Sequence, residues 1–136
     1  MDWQTLFSSR VKKKEITVGV IGLGYVGLPT AIGFHDAGFT VWGVDILPRT
    51  VDMILRGENP TGDPDVDSII PQPGAERWHI TTSATEAIPN CDVVLVTVPT
   101  PITNDLKPDL SFVEAAGRDV FNLSLIHISE PTRQLC

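Results

Sequence analysis

The sequence predicts an α/β fold built on a doubly wound parallel sheet, with helices on both faces. The first observation is a series of short runs rich in Val and Ile, which are typical of parallel strands buried on both sides. The second is that segments with apolar residues at helical spacing separate these runs. The third is the alternating order of strand and helix, which favours parallel strands joined by right-handed crossovers.

The expected elements follow from local patterns. Strands are predicted at 16–21, 39–44, 78–81 and 92–98, and the last of these is the clearest buried run. Helices are predicted at 25–37 and 48–56, briefly from Ser83, and from Ser111 to about Phe121. Both serines begin a Ser-x-x-Glu pattern, which caps a helix N-terminus. The stretch 58–74 is rich in Pro, Gly and Asp, which predicts an irregular surface segment.

Composition and charge narrow the function classes. The chain has 136 residues, of which 42% are hydrophobic and 20% are charged, as expected of one soluble domain. A formal net charge of -7 argues against nucleic acid as the main partner, because binding to phosphates needs a basic surface. No apolar run is long enough to cross a bilayer. We therefore expect a cytoplasmic protein with neither a membrane nor a nucleic acid as partner.

The N-terminal residues 1–14 are polar and end in three lysines. They lack the apolar core of a secretory signal, so they are interpreted as a flexible leader. The domain is then expected to cover 15–122. The two cysteines, Cys91 and Cys136, indicate neither a disulfide framework nor a metal site.

The first predicted strand is followed by a glycine-rich loop, Gly22-Leu23-Gly24-Tyr25-Val26-Gly27. Gly22 would permit the tight turn, Gly24 would let a pyrophosphate approach the backbone, and Gly27 would allow close helix packing. The following helix N-terminus would offer N–H groups and a partial positive charge to the phosphates. Between a strand and a helix, this pattern predicts a Rossmann-type dinucleotide-binding domain. The expected cofactor-binding residues of the loop are Gly22, Gly24, Tyr25, Val26 and Gly27.

Asp45 is a second indication of dinucleotide binding. It ends the second predicted strand, 23 positions after Gly22, close to the roughly 20 expected of a ribose-binding acid. Its carboxylate would bind ribose hydroxyls and repel a 2′-phosphate, which favours NAD over NADP. Arg49 could hold that phosphate, or lie over the adenine or the diphosphate. The alternatives are a flavin, or a glycine turn that binds nothing.

Two motifs identify a family resemblance. The segment Gly22-Leu23-Gly24-Tyr25-Val26-Gly27-Leu28-Pro29-Thr30-Ala31 resembles the opening of the UDP-glucose/GDP-mannose dehydrogenase family. The Val-Pro-Thr-Pro turn at 98–101 and the Pro-Asp-Leu-Ser at 108–111 resemble two later motifs of that family. The wording of the glycine segment is most similar to the UDP-N-acetylmannosamine dehydrogenase branch.

The resemblance implies an enzyme that oxidises the C6 alcohol of a nucleotide sugar to a carboxylate with two NAD+, for surface polysaccharide. In this family a cysteine in the latter half of the chain holds the aldehyde-level intermediate. The present chain stops before that region. We therefore expect a fragment that contains no catalytic residue and is inactive alone, with a sheet truncated before its later strands. The full-length protein is expected to be a homo-oligomer.

Other residues outside the glycine loop have either a possible cofactor contact or a structural role. Pro99 and Thr100 follow the fourth strand, at the sheet end where dinucleotides bind. Thr100 could touch the ribose or pyrophosphate, or could be a turn residue only. Cys91 precedes that strand, at the opposite end of the sheet, and is interpreted as structural. His35 and His79 have no nearby partner suited to a metal.

Two other functions stay open at this point. A β-hydroxyacid dehydrogenase of the 6-phosphogluconate type shares the glycine loop, although Asp45 and the Pro-Thr-Pro turn argue against it. A regulatory dinucleotide-sensing module is the non-enzymatic alternative.

The stretch 57–74 departs from the family pattern, because an acidic, proline-rich segment follows Glu58-Asn59-Pro60.

The C-terminal segment 123–136 has a different character. Residues 123–133 correspond to the in-frame translation of a transposase adapter used in sequencing libraries. The hypothesis is that the genuine sequence ends near Asn122 and that the tail is an artefact that does not belong to the domain.

Overall fold

The computed structural model describes residues 2–98 and 111–125. Its centre is a parallel sheet of four strands: β1 (Thr17–Ile21), β2 (Thr40–Val44), β3 (Trp78–Thr81) and β4 (Val93–Val96). The strand order is β3-β2-β1-β4, and all three pairings are parallel. The predicted Rossmann-type parallel sheet is therefore confirmed.

Helices connect these strands or flank them. They are α1 (Trp3–Lys12), α2 (Gly27–Asp36), α3 (Pro48–Leu55), α4 (Pro64–Asp67), α5 (Ala84–Ala87) and α6 (Ser111–Leu125). Ser83 caps α5, because its hydroxyl accepts a hydrogen bond from the Glu86 N–H at 3.1 Å. The Glu86 carboxylate accepts a bond from the Thr81 hydroxyl at 3.2 Å. None of the helices among the described residues has the length and hydrophobicity that a membrane-spanning segment needs.

Each face of the sheet covers its own apolar cluster. On one face, Val18 and Val20 of β1 and Val41 of β2 pack with the buried side of α2. On the other face, Ile21 and Val44 pack with residues of α5 and α6 and the turn between α5 and β4. Successive strand residues alternate between the faces. Helices therefore cover both faces, as a doubly wound sheet requires.

Strand β4 is less buried than the sequence predicts. Residues 93–95 are only partly buried, and Val96 is 38% exposed. The reason is its place in the sheet, since among the described residues β4 pairs with β1 alone. An apolar run indicates that a strand can be buried, but its burial also depends on whether a strand pairs with it on each side.

The stretch 58–74 is also more ordered than the sequence predicts. It contains α4, and Val66 and Ile70 are buried in the same cluster as β1 and α2. Asn59 organises the turn before α4, because its amide donates to Asp63 O at 2.7 Å and its oxygen accepts from the Thr61 N–H at 2.9 Å. The description as an irregular surface segment was therefore wrong for its middle part.

Within the stretch 1–14, which was expected to be a flexible leader, the structure has helix α1. Asp2 caps this helix by accepting from the Thr5 N–H at 2.8 Å. Phe7 and Val11, one turn apart, pack against the core cluster of β1 and α2. Arg10 forms an ion pair of 3.3 Å with Asp92, directly before β4. The helix has four apolar residues, Trp3, Leu6, Phe7 and Val11, but Trp3 and Leu6 are exposed, so the apolar pattern alone did not indicate which of them contact the core.

The proposed domain boundary at 122 falls inside α6, which continues to Leu125. Residues 126–136 lie outside the described residues. The adapter origin of the tail therefore stays a prediction.

Candidate dinucleotide site

The glycine loop lies at the carboxyl end of β1, where Gly22 begins the turn into α2. Its N–H group donates to Val44 O at 2.8 Å, which continues the pairing of β1 with β2 by one residue. Gly22 has a φ of +95°, in the region that favours glycine. A Cβ atom there would lie 2.7 Å from Thr97 O. Both the conformation and the space therefore require glycine.

Gly27, the first residue of α2, has no room for a side chain. A Cβ atom at this position would overlap Gly22 O and the Thr97 hydroxyl. The absence of a side chain lets the start of α2 lie directly against the turn at the end of β1. This is the close packing that the spacing of the loop predicts.

Gly24 has the opposite surroundings. A Cβ atom there would have no heavy atom within 4 Å, so the space over the loop is open. Tyr25 and Val26 are 71% and 66% exposed. Among the described residues, no acceptor binds the backbone N–H groups of Gly24, Tyr25 and Val26. The loop thus presents unpaired donors at the N-terminus of a ten-residue helix, where the helix dipole favours an anion.

Asp45 lies beside this loop. Its Oδ2 accepts a hydrogen bond from the Leu23 N–H at 2.9 Å, and its Oδ1 accepts one from the Leu47 N–H at 3.0 Å. A carboxylate has about four acceptor positions, so roughly two remain for a ligand. The structure therefore places Asp45 in contact with the glycine loop, as the spacing in the sequence predicts.

Arg49 lies at the second position of α3, after Pro48, and is exposed. In the described part of the chain, its guanidinium forms no hydrogen bond or ion pair. It is thus an exposed positive charge four residues after Asp45 along the chain. Pro99 and Thr100 lie outside the described residues, so their predicted roles stay predictions.

Thr97 is a residue of this site that sequence reasoning missed. Its N–H donates to Ile21 O at 2.8 Å, and its hydroxyl donates to Gly22 O at 2.7 Å. Thr97 therefore joins the end of β4 to the turn after β1. The available signal was a hydroxyl residue in the apolar run 93–98, directly after the residues that form β4.

Cys91 lies at the amino end of β4, away from the glycine loop. Its thiol donates to Ala87 O at 3.3 Å, and its sulfur lies 2.7 Å from where Gly19 would carry a Cβ atom. Burial, together with the nearby Asp92, raises the pKa of the Cys91 thiol to about 12. A protonated thiol is a poor nucleophile, which agrees with the structural interpretation.

The two histidines have packing contacts. His35 Nε2 lies 2.8 Å from Glu76 O, and its ring meets Trp78 edge to face at 5.2 Å. His79 stacks on Trp42 with ring centroids 4.5 Å apart. These contacts fasten the first crossover and the outer strand of the sheet to their neighbours.

Comparison with known proteins connects this geometry to a family. Residues 16–125 match the model of the NAD binding domain of the UDP-glucose/GDP-mannose dehydrogenase family. The chain is 41% identical over 104 residues to UDP-N-acetyl-D-mannosamine dehydrogenase of Escherichia coli strain K12. It is 38% identical over 104 residues to NDP-N-acetyl-D-galactosaminuronic acid dehydrogenase of Ralstonia nicotianae. Each alignment covers 76% of this chain and 24% of the relative, so the chain spans about a quarter of their length.

Solved structures give the same result. A UDP-glucose dehydrogenase from Pyrobaculum islandicum matches with a TM-score of 0.71 and 34% identity, over 77% of this chain and 24% of that one. A UDP-D-ManNAc dehydrogenase from Pyrococcus horikoshii matches with a TM-score of 0.70 and 32% identity, over 79% and 26%. The chain therefore belongs to the UDP-glucose/GDP-mannose dehydrogenase family and contains its NAD-binding domain.

Proposed function

We propose that this chain supplies the NAD site of a dehydrogenase that oxidises the C6 hydroxyl of a UDP-sugar to a carboxylate. The observation that supports this most directly is the contact between Asp45 and the glycine loop. It places a carboxylate beside unpaired backbone donors and an open surface over Gly24. A ribose acceptor and a diphosphate site are thus adjacent, as a dinucleotide requires.

The described residues fit NAD at each part that they would contact. The N–H groups of Gly24, Tyr25 and Val26 would hold the diphosphate at the start of α2. The remaining acceptor positions of Asp45 would bind the hydroxyls of the adjoining ribose. Bound NAD would accept the hydride that the sugar carbon releases. The contribution of these residues is to bind and orient the cofactor.

Discrimination between NAD and NADP would also depend on Asp45. A 2′-phosphate would lie close to this carboxylate, and like charges repel. The guanidinium of Arg49 could lessen that repulsion, since it has no partner among the described residues. We expect the carboxylate to dominate, because it is fixed by two backbone N–H groups while Arg49 is exposed.

The test is calorimetric titration of the 136-residue chain with NAD and NADP. We expect Asp45→Asn to weaken NAD binding about tenfold or more, in line with the loss of a charged hydrogen bond. The variant should also have a smaller ratio of NAD affinity to NADP affinity than the wild type. Asp52→Asn is the matched control, because it removes an equal charge from an exposed site on α3. If the wild-type chain binds no NAD, or if both variants behave alike, the assignment of Asp45 fails.

The substrate of the full-length protein is proposed from its relatives. Two relatives are named UDP-N-acetyl-D-mannosamine dehydrogenase and NDP-N-acetyl-D-galactosaminuronic acid dehydrogenase, and both names contain an N-acetylated nucleotide sugar. We expect the full-length enzyme to prefer that class over UDP-glucose. Assay of the full-length enzyme with N-acetylated UDP-sugars and with UDP-glucose would test this. A cytoplasmic location and a homo-oligomeric full-length protein stay predictions.

A further inference from the structure

Side chains hold both ends of the peptide group between Gly22 and Leu23. Its carbonyl oxygen accepts a hydrogen bond from the Thr97 hydroxyl at 2.7 Å. Its N–H group donates to Asp45 Oδ2 at 2.9 Å. Thr97 follows β4 and Asp45 follows β2, the strands on either side of β1. A single peptide therefore joins three neighbouring strands at their carboxyl ends.

Thr97 is well fixed for this role. Its own N–H donates to Ile21 O at 2.8 Å, which holds its backbone against β1. Its hydroxyl has one proton and lies 2.7 Å from Gly22 O but 3.1 Å from Ile21 O, so Gly22 O is the closer acceptor. On the other side, the missing side chain of Gly27 leaves the space that this hydroxyl occupies.

We propose that Thr97 is a positioning residue for dinucleotide binding, which acts by fixing the orientation of the Gly22–Leu23 peptide. This inference rests on the proposed function. A rotated peptide would lose both hydrogen bonds and would turn its oxygen toward the Asp45 carboxylate. Such a rotation would put the partial negative charge of the carbonyl oxygen where the loop begins, and the Asp45 carboxylate would lose the N–H group that holds it for ribose binding.

The hydroxyl proton of Thr97 is the group to remove. Thr97→Val keeps the shape of the side chain and removes the donor, whereas Thr97→Ser keeps the donor. Without the bond, the peptide populates other orientations, and the apparent Kd rises as the competent fraction falls. We expect Thr97→Val to weaken NAD binding by roughly three- to tenfold, the effect of one net hydrogen bond. Thr97→Ser should bind NAD within about twofold of the wild type.

The experiment combines NAD titration with hydrogen exchange at the Leu23 amide, both on the 136-residue chain. In the NAD-free protein, Leu23 should exchange faster in Thr97→Val and at the wild-type rate in Thr97→Ser. This second measurement separates positioning from direct contact, because a hydroxyl that only touched NAD would not change exchange in its absence. Thermal unfolding verifies that each variant is folded, and Thr97→Ala replaces Thr97→Val if the latter is not.

The two proposals fail in different ways. If Thr97→Val binds NAD as well as the wild type, or if its Leu23 exchange is unchanged, the positioning role is overturned and the proposed function stands. If the wild type binds no NAD, the proposed function fails, and the inference that rests on it fails as well.

Discussion

Three glycines in or near α2 differ in what an added methyl group would meet. At Gly27 it would overlap backbone and the Thr97 hydroxyl, whereas at Gly24 and Gly33 it would have no heavy atom within 4 Å. Gly24 lies in the loop, and Gly33 is exposed in the helix interior. The same Gly→Ala substitution therefore tests packing at Gly27, ligand binding at Gly24 and helix propensity at Gly33.

We expect Gly27→Ala to lower the free energy of unfolding by about 3 kcal/mol, because backbone atoms cannot yield as a flexible side chain can. Gly24→Ala should change the free energy of unfolding by less than about 0.5 kcal/mol. It should weaken NAD binding about tenfold or more, close to 1.4 kcal/mol. Gly33→Ala should raise the free energy of unfolding by about 0.5–1 kcal/mol through helix propensity. Urea denaturation and NAD titration of the three variants provide the measurements.

The contrast between Gly24 and Gly27 is the informative part of this series. If Gly24→Ala bound NAD normally while the protein stayed folded, the diphosphate could not lie over that position. If Gly27→Ala were as stable as the wild type, the close packing of α2 against the turn would be incorrect.

The residues of the site differ in how far the sequence could indicate them. The glycine loop and Asp45 were predictable because the motif is local and the spacing between its parts is set by one crossover. Thr97 was not, because its hydroxyl meets Gly22 only after the fold brings together residues 75 positions apart. The sequence around Thr97 shows a strand end but not which neighbour its hydroxyl faces.

At the scale of elements, apolar runs predicted all four strands, β3 with identical bounds. The strands form where Val and Ile recur, and their ends shift by a residue or two because pairing with neighbours decides the last bonds. The elements that escaped prediction are α1, in which two of the four apolar residues are exposed, and α4, which has four residues only. They are stabilised by contact with the core, and that contact is a tertiary property.

Helix α1 provides an element-scale prediction. Phe7 packs against the core cluster, whereas its neighbour Leu6 is 53% exposed. We expect Phe7→Ala to lower the free energy of unfolding by about 2 kcal/mol, less than the 3–5 kcal/mol of a fully buried Phe. Leu6→Ala should lower it by less than about 0.5 kcal/mol. Urea denaturation of both variants would measure the difference.

Phe7→Ala and Leu6→Ala together also test whether residues 1–14 are a flexible leader. A leader without fixed contacts would make the two substitutions equivalent, since neither side chain would have lost a partner. Equal and small effects would therefore contradict the docking of α1. A large effect at Phe7 alone would support it, with the Arg10–Asp92 ion pair as a second, weaker contact.

At the scale of the whole molecule, the family assignment and the sheet order support each other. Strands β1 and β2 are central in the described sheet, and the glycine loop and Asp45 follow these two strands. The proposed dinucleotide site thus lies where the carboxyl ends of adjacent strands meet, as in other open α/β sheets. This placement, together with the family match over 16–125, favours the dehydrogenase over the β-hydroxyacid and sensor alternatives.

The same strand order leaves β4 at one edge of the described sheet. Unpaired edge strands with apolar side chains tend to pair with other molecules, and charged residues oppose this. Val96 is 38% exposed on β4, and Val113 is 36% exposed on α6. These two valines have similar exposure, but only Val96 belongs to a strand edge.

We expect the 136-residue chain to self-associate as its concentration rises, and Val96→Lys to raise the Kd of self-association by about threefold or more, a change of roughly 0.7 kcal/mol, and with it the monomer fraction. The reason is that a lysine on β4 places charge where a second strand would pair. Val113→Lys adds the same charge to a helix and should leave the monomer fraction unchanged. Sedimentation velocity over a concentration series measures all three proteins. A monomeric wild type at every concentration, or an equal response to both lysines, would place the association elsewhere than the edge of β4.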